Sequence, residues 1–134
     1  MLNNKYIQKI HEYVKLNTPV SFIFHKDKYY EIKAIITNED LEIDELDLLC
    51  ACYSLFYTTL SYHKKAATDK DHQPYHILLG DYISSYVAEL LYQKQQFDIL
   101  RVFTFSSKKI MLNILDDNND DPLLSNIVYA LKSR

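Results

Sequence analysis

Apolar residues return every three or four positions along most of the chain, which is the spacing of one face of a helix. The first run predicts a helix over residues 3–16. Thr18-Pro19 ends it, because the residue before a proline avoids helical backbone angles. Residues 20–24 fit a short extended piece or a turn, and residues 27–37 fit a helix, although alternate positions there are also apolar. The remaining predicted helices cover 43–66, 75–93, 95–115 and Pro122 to about Leu131.

Polar stretches separate these helices. The acidic stretch 38–47 indicates a solvated loop followed by a negatively charged first helical turn. Residues 67–74 read as a polar loop, with Pro74 near the first turn of the next helix. Residues 116–121 form an acidic linker, in which Asp121 is suited to cap the last helix. The β-forming run 102–105 is a point at which the fifth helix could break.

The middle of the third helix, Leu48 to Tyr62, is apolar nearly all the way round. A helix of this kind is buried by its own chain or by a partner. The run is shorter than the roughly 20 residues that cross a bilayer, and the N-terminus shows no signal-peptide pattern. We therefore expect a soluble, cytoplasmic protein without a membrane span.

Composition points to an all-α fold. The chain has 134 residues, of which 48% are apolar and 25% charged, as suits one domain with a packed core. Gly80 is its one glycine and it has only three prolines, too few for the tight turns of an all-β fold. One glycine also cannot build a Rossmann or P-loop phosphate-binding loop. Because no repeat or boundary is visible, we expect residues 1–134 to form a single helical domain of about five to six helices.

Charge and cysteine content exclude further classes. The formal net charge is −3 and only Arg101 and Arg134 are arginines, which argues against a nucleic-acid partner. Cys50 and Cys52 lie two apart and no second cysteine pair completes a zinc site. They are expected to be buried thiols in a reducing compartment.

The run from Asp116 to Asp120 spells the Asp-Asp-x-x-Asp pattern that binds magnesium diphosphate in isoprenoid synthases. Carboxylates one helical turn apart can hold hard cations. Here the pattern lies in an Asn/Asp linker that ends at Pro122, and no arginine pair follows it. A solvated linker with a helix cap is the favoured interpretation, and magnesium binding is the alternative.

The histidines offer little chemistry by spacing alone. His72 and His76 could share a helix face, but Pro74 between them suggests that His72 precedes the helix. His25 and His63 have no evident catalytic partner. We therefore expect neither catalytic nor metal-ligating residues in this chain.

A stripe of small residues marks the fourth helix. Gly80, Ser84 and Ala88 recur every four residues, which allows another helix to approach closely. A glycine inside a helix costs about 1 kcal/mol relative to alanine, so some contact should offset it. The chain also has 12 tyrosines and no tryptophan, and tyrosine suits protein interfaces. Contact with a partner protein is one interpretation of both features. The alternatives are packing within the chain for the small-residue stripe and a tyrosine-rich core for the tyrosines.

The segment Leu78-Leu79-Gly80-Asp81-Tyr82 resembles the Leu-x-Gly-Asp-Tyr-x-Ser helix of the small, non-catalytic subunit of heterodimeric trans-prenyl diphosphate synthases. Upstream, Pro19 and Asp27-Lys28 precede an apolar helix that ends in Leu60-Ser61-Tyr62-His63, and a polar loop leads on to Gly80. This order is similar to that of component I of bacterial heptaprenyl diphosphate synthase. The length is closer to the small subunit of hexaprenyl diphosphate synthase. The resemblance covers roughly residues 15–95.

The resemblance implies a division of labour between two subunits. The large subunit would hold the acidic motifs and Mg²⁺, and would join farnesyl diphosphate to isopentenyl diphosphate. The small subunit would need no cofactor of its own and would be inactive alone. It would pack on the large one, complete the apolar elongation tunnel, contact the polyprenyl product at its end and help to set chain length, for products that become quinone side chains such as that of menaquinone.

Helices 43–66 and 75–93 are the candidates for this contact. The residues expected at the interface or tunnel are Tyr53, Phe56, Tyr57, Leu79, Gly80, Ile83, Ser84, Val87 and Ala88. Two rival readings stay open. One is a helical adaptor or regulatory protein unrelated to isoprenoids, and the other is a small enzyme that uses the Asp116 run with Mg²⁺.

Overall fold

Six α-helices account for most of the residues that the structure describes, and those residues contain no strand. The structure is a computed structural model that describes residues 3–115 and 122–134, without the side chains of 109–115. The all-α fold expected from the sequence is confirmed. The helices are α1 (Lys5–Asn17), α2 (Lys26–Ile36), α3 (Ile43–Thr68), α4 (Gln73–Gln93), α5 (Phe97–Leu115) and α6 (Pro122–Lys132), with a 3₁₀ turn over Lys70–His72.

The chain divides into two compact units, and the boundary between them along the sequence falls within α4. The first unit runs to Val87 and the second runs from Ala88 to Arg134. Each has its own buried apolar residues and is described here by itself. The single domain expected from the sequence stays a prediction.

Helix α3 is the central element of the first unit, and α1 and α2 pack against it. Its stretch from Leu48 to Phe56 is buried at every position, as expected for a helix that is apolar all round. Burial raises the pKa of the Cys50 thiol to about 12, with the same direction for Cys52. Both cysteines are free and buried, as the sequence indicates.

Asn4 joins the three helices. Its side-chain oxygen caps α1 by accepting hydrogen bonds from the backbone N–H groups of Tyr6 and Ile7, at 3.0 and 3.2 Å. Its amide nitrogen donates to the Tyr29 hydroxyl of α2 at 3.1 Å and to the Asp47 carbonyl of α3 at 3.0 Å. The side chain is buried, so these four bonds satisfy it without water.

The segment 20–24 is neither helix nor strand, and α3 fixes its backbone. The Tyr62 hydroxyl donates to the Ser21 carbonyl at 2.8 Å and accepts from the Ile23 N–H at 3.2 Å. The Thr58 hydroxyl donates to the Ile23 carbonyl at 2.7 Å. Two side chains of α3 therefore supply hydrogen bonds to a segment that belongs to no helix or sheet.

The predicted loop over residues 67–74 is mostly wrong. Helix α3 continues to Thr68, a 3₁₀ turn follows, and α4 already begins at Gln73. The physical reason is local capping. The Gln73 amide donates to the Ala66 carbonyl at 2.6 Å, and the Asp69 carboxylate binds side chains of the following turn.

In the second unit, α5 packs against α6. The β-forming run 102–105 does not break α5, because burial of Phe103 outweighs its weak helix propensity. Helix α6 begins at Pro122 as predicted, whereas the predicted cap Asp121 lies outside the described residues. The Arg134 guanidinium donates to Asp98 at 2.9 Å and holds the pKa of that carboxyl below its usual value.

Gln95 closes the end of α4 in a left-handed conformation, with φ of 58°. The Gln96 N–H donates to the Leu91 carbonyl at 2.8 Å and the Gln95 N–H to the Tyr92 carbonyl at 3.1 Å. This is the Schellman arrangement, in which glycine is the usual left-handed residue. None of the helices within the described parts of the chain has the length and apolar character to cross a membrane.

Candidate functional site

The first turns of α4 expose a group of large apolar side chains. Tyr75, Ile77 and Leu78 are 38%, 48% and 52% exposed, although their neighbour Leu79 is fully buried. Leu79 therefore attaches α4 to its own unit, while Ile77 and Leu78 face away from the core and Tyr75 stays partly exposed. Adjacent exposed apolar residues of this kind favour contact with another molecule.

Gly80 follows this apolar group and lies against His63 of α3. A β carbon added at Gly80 would lie 2.5 Å from Cδ2 and 2.6 Å from Nε2 of the imidazole. The same ring has Nε2 3.7 Å from Asp81 Oδ1, and its Nδ1 is buried without a hydrogen bond. The close approach that the glycine permits is thus made by a side chain of this same protein.

The structure places the predicted interface residues in two classes. Ser84 and Ala88 are exposed and Tyr57 is half-buried, so an outside molecule can reach all three. On α3, Tyr57 lies edge-on to the ring of Tyr53 at 5.3 Å and to that of Phe56 at 5.6 Å. The members that are buried, and contribute to the protein's own core, are Tyr53, Phe56, Leu79, Gly80, Ile83 and Val87.

Two tyrosines of α4 contact α1. The rings of Tyr82 and Tyr13 stack with centroids 3.9 Å apart and planes 6° apart. The Tyr86 hydroxyl donates to the Tyr6 carbonyl at 3.3 Å, and burial raises the pKa of that hydroxyl to about 12. The tyrosine-rich core therefore accounts for these two side chains, and the spacing of Tyr13 with the other apolar residues of α1 was the available signal.

A carboxylate and two histidines meet at the junction of α3 and α4. Oδ2 of Asp69 accepts hydrogen bonds from Nε2 of His76 at 2.9 Å and from Nδ1 of His72 at 3.1 Å. These bonds hold the pKa of Asp69 below its usual value. His76 is buried against the ring of Tyr62, at 5.9 Å between centroids, so the cluster connects the 3₁₀ turn to the core.

His25, for which spacing shows no partner, lies beside Ser61. Its Nε2 is 2.7 Å from the Ser61 hydroxyl, and burial lowers the pKa of the imidazole. A serine and a histidine at this distance are two members of a hydrolase triad. Among the described side chains, however, no carboxylate is hydrogen-bonded to the second ring nitrogen, and the pair joins the start of α2 to α3.

The run from Asp116 to Asp120 lies outside the described residues. Among the residues with described side chains, no group of three His, Cys, Asp or Glu residues has the arrangement of a metal site. The best candidate for a functional site is therefore a surface for contact with another molecule, formed by the exposed apolar start of α4 and the accessible Ser84.

Comparisons with protein-family models, with curated proteins and with solved structures found no match for this chain.

Proposed function

We propose that this protein is the non-catalytic subunit of a heterodimeric, medium-chain trans-prenyl diphosphate synthase of the hexaprenyl type. In this role it packs on a catalytic subunit that resembles farnesyl diphosphate synthase. It belongs to an enzyme, and the isolated chain is inactive. The helical adaptor remains the alternative.

The observation that carries this proposal is the position of the resembling segment. Leu78 to Tyr82 lies in the first half of α4, directly after the exposed Tyr75 and Ile77. The segment that resembles the subunit family therefore begins at an exposed apolar surface: Leu78 belongs to that surface, whereas Leu79 and Gly80 are buried. A subunit that must bind a larger partner requires such a surface.

The proposed role needs apolar walls rather than reactive groups. A growing polyprenyl chain is apolar, and a tunnel that excludes water favours its extension. The catalytic subunit supplies the carboxylates and the Mg²⁺ that bind diphosphate. The residues that we expect this chain to present to its partner and to the tunnel are those an outside molecule can reach: Tyr57, Tyr75, Ile77, Leu78, Ser84 and Ala88.

Reconstitution tests the proposal. The purified full chain is mixed with the large prenyltransferase subunit from the same cell, farnesyl diphosphate, isopentenyl diphosphate and Mg²⁺. We expect prenyl transfer only in the mixture, and the length of the product would name the enzyme. Activity of this chain alone would support the small Mg²⁺ enzyme instead. A mixture that forms neither complex nor product would favour the adaptor.

The variant Ser84→Leu tests the surface. Ser84 is exposed, so leucine there should leave the fold intact while it blocks a closely packed partner helix. We expect the affinity of the complex to fall by about fivefold to 150-fold, since overpacking costs about 1–3 kcal/mol. Ser125→Leu, at an exposed position of α6, is the matched control. Equal assembly of the two variants would show that the stripe is not the contact.

A further inference from the structure

A pocket of about 410 Å³ lies between α1, the segment 20–24 and α2, within the first unit. Its volume is that of small-molecule sites, which range from about 300 to 1,000 Å³. The proposed partner surface does not include it. The residues that give it its chemistry are Ile7, His11, Phe22, Phe24, Lys26 and Tyr30.

The walls of this pocket are aromatic and nearly parallel. The ring of Phe22 stacks on the imidazole of His11, with centroids 5.1 Å apart and planes 24° apart. Phe24 continues the arrangement, 6.2 Å from Phe22 with planes 23° apart. Both phenylalanines are half-buried and Tyr30 is 45% exposed, so part of this aromatic surface remains accessible.

The aromatic wall is held in place before any ligand binds. Phe22 and Phe24 lie on either side of Ile23, whose N–H and carbonyl are both bound by hydroxyl groups of α3. Those hydroxyls belong to Tyr62, which is fully buried, and to Thr58, which is buried as well. A wall fixed in this way loses little conformational entropy on binding.

The pocket also carries positive charge. The exposed ammonium of Lys26 lines it, and among the described residues Lys26 forms no ion pair with a carboxylate. Lys26 is the first residue of α2, and the His25 side chain does not cap that helix. The uncapped N–H groups of the first turn add partial positive charge at this end. His11 supplies a ring nitrogen as a further polar group.

We propose that this pocket binds a small planar aromatic molecule that carries one carboxylate. The ring of the ligand lies against Phe22 and Phe24, and its carboxylate faces Lys26. Stacking of the rings and a charge-assisted hydrogen bond to the ammonium together select this chemistry over neutral or non-planar molecules. The site is independent of prenyl transfer, because it uses none of the residues assigned to the partner surface.

Titration of the full chain with naphthoate, followed by amide chemical shifts in NMR, tests the proposal. Naphthamide, which has the same rings without the charge, is the matched ligand. We expect saturable shifts confined to the amides around His11, to residues 22–26 and to Tyr30. We expect naphthoate to bind about fivefold more tightly than naphthamide, as for one charge-assisted contact at a partly exposed site.

Two variants identify the contacts. Lys26→Gln should weaken naphthoate about fivefold and leave naphthamide unchanged, whereas Lys15→Gln, at an exposed position of α1, should change neither. Phe22→Leu keeps an apolar side chain but removes the flat ring, and should weaken both ligands. Amide spectra of each free variant establish that the fold is kept.

Three results would overturn the proposal. They are the absence of saturable shifts up to millimolar naphthoate, shifts spread over the surface outside the pocket, and equal binding of the two ligands with no effect of Lys26→Gln. These results can be told apart from a failure of the reconstitution assay, because the titration needs no partner subunit and measures ligand binding to the isolated chain.

Discussion

Gly80 and the imidazole of His63 occupy adjoining space, so that a β carbon on Gly80 would lie 2.5 Å from the Cδ2 atom of His63. This contact explains why the one glycine of the chain stands in the middle of a helix. Glycine has a lower helix propensity than alanine, and the close packing of α4 on the His63 side chain of α3 offsets that cost.

We expect Gly80→Ala to bring none of the roughly 1 kcal/mol of stability that alanine usually adds to a helix interior. The methyl group must displace the imidazole, which offsets the gain in propensity. In the His63→Ala background the obstacle is gone, and Gly80→Ala should then stabilise the fold by about 1 kcal/mol. Urea unfolding of the four proteins of this cycle measures the coupling. Equal effects of Gly80→Ala in both backgrounds would contradict this explanation.

Asn4 is expected to be one of the most sensitive polar positions. Asn4→Ala removes the cap of α1 and leaves the Tyr29 hydroxyl and the Asp47 carbonyl without this partner. Loss of a cap costs about 1 kcal/mol and each buried polar group left unsatisfied costs about 1 kcal/mol or more, so we expect about 3 kcal/mol in total. Asn4→Ser keeps the capping oxygen and should lose about 2 kcal/mol, two thirds as much. Urea midpoints check both values, and identical losses for Ser and Ala would show that the cap contributes nothing.

Asp69 should make stability depend on pH in the acidic range. Hydrogen bonds from His76 and His72 lower the pKa of this carboxyl from its ordinary value of 3.8. A lowered pKa means stability that is present above the unfolded-state pKa and is lost as pH falls through the folded-state pKa. The difference in unfolding free energy between the wild type and Asp69→Asn should therefore be largest above pH 5 and shrink below pH 4. Asp71→Asn, an exposed position of the same turn, is the control. A difference that stays constant down to pH 3 would rule out this linkage.

Gln95→Gly should stabilise the chain. Gln95 has a φ of 58°, which costs a residue with a β carbon about 1 kcal/mol and costs glycine little. Because glycine also loses more entropy on folding, we expect a net gain of about 0.5 kcal/mol. Thermal unfolding measures it, with Gln96→Gly as the control that should destabilise. A loss of stability in Gln95→Gly would mean that the side chain contributes more than the strain costs.

The helices of this protein were predictable because apolar spacing and polar breaks agree along most of the chain. Pro122 is a local signal and stands at the first position of α6, whereas the predicted start of the first helix at residue 3 missed the cap that Asn4 provides. The run 102–105 suggested a possible break in the fifth helix, because β propensity describes isolated residues. Burial of Phe103 in the second unit favours the continuous helix instead. The junction at Asp69 was missed because local side-chain hydrogen bonds, over three to seven positions, set its order, and the apolar spacing does not reveal them.

The candidate site was predictable only in part. Of the stripe Gly80, Ser84 and Ala88, only Gly80 is approached closely in the structure, and spacing cannot tell which neighbour makes that approach. For Gly80 that neighbour is His63, a residue without a partner in the sequence pattern. Ser84 is exposed, which leaves the contact with another protein as a prediction for that position. The pocket around Phe22 has no sequence signal, because three separate segments form it.

The anchoring of the segment 20–24 on Tyr62 has a consequence for folding kinetics. The hydroxyl of Tyr62 binds Ser21 across 41 positions of sequence, so closing this loop has a large entropic cost. Helical turns form from local contacts and can precede it, whereas the bond to Ser21 requires α3 to be formed first. We therefore expect Phe22 and Phe24 to reach their final arrangement among the last steps of folding, after the helices on which they rest.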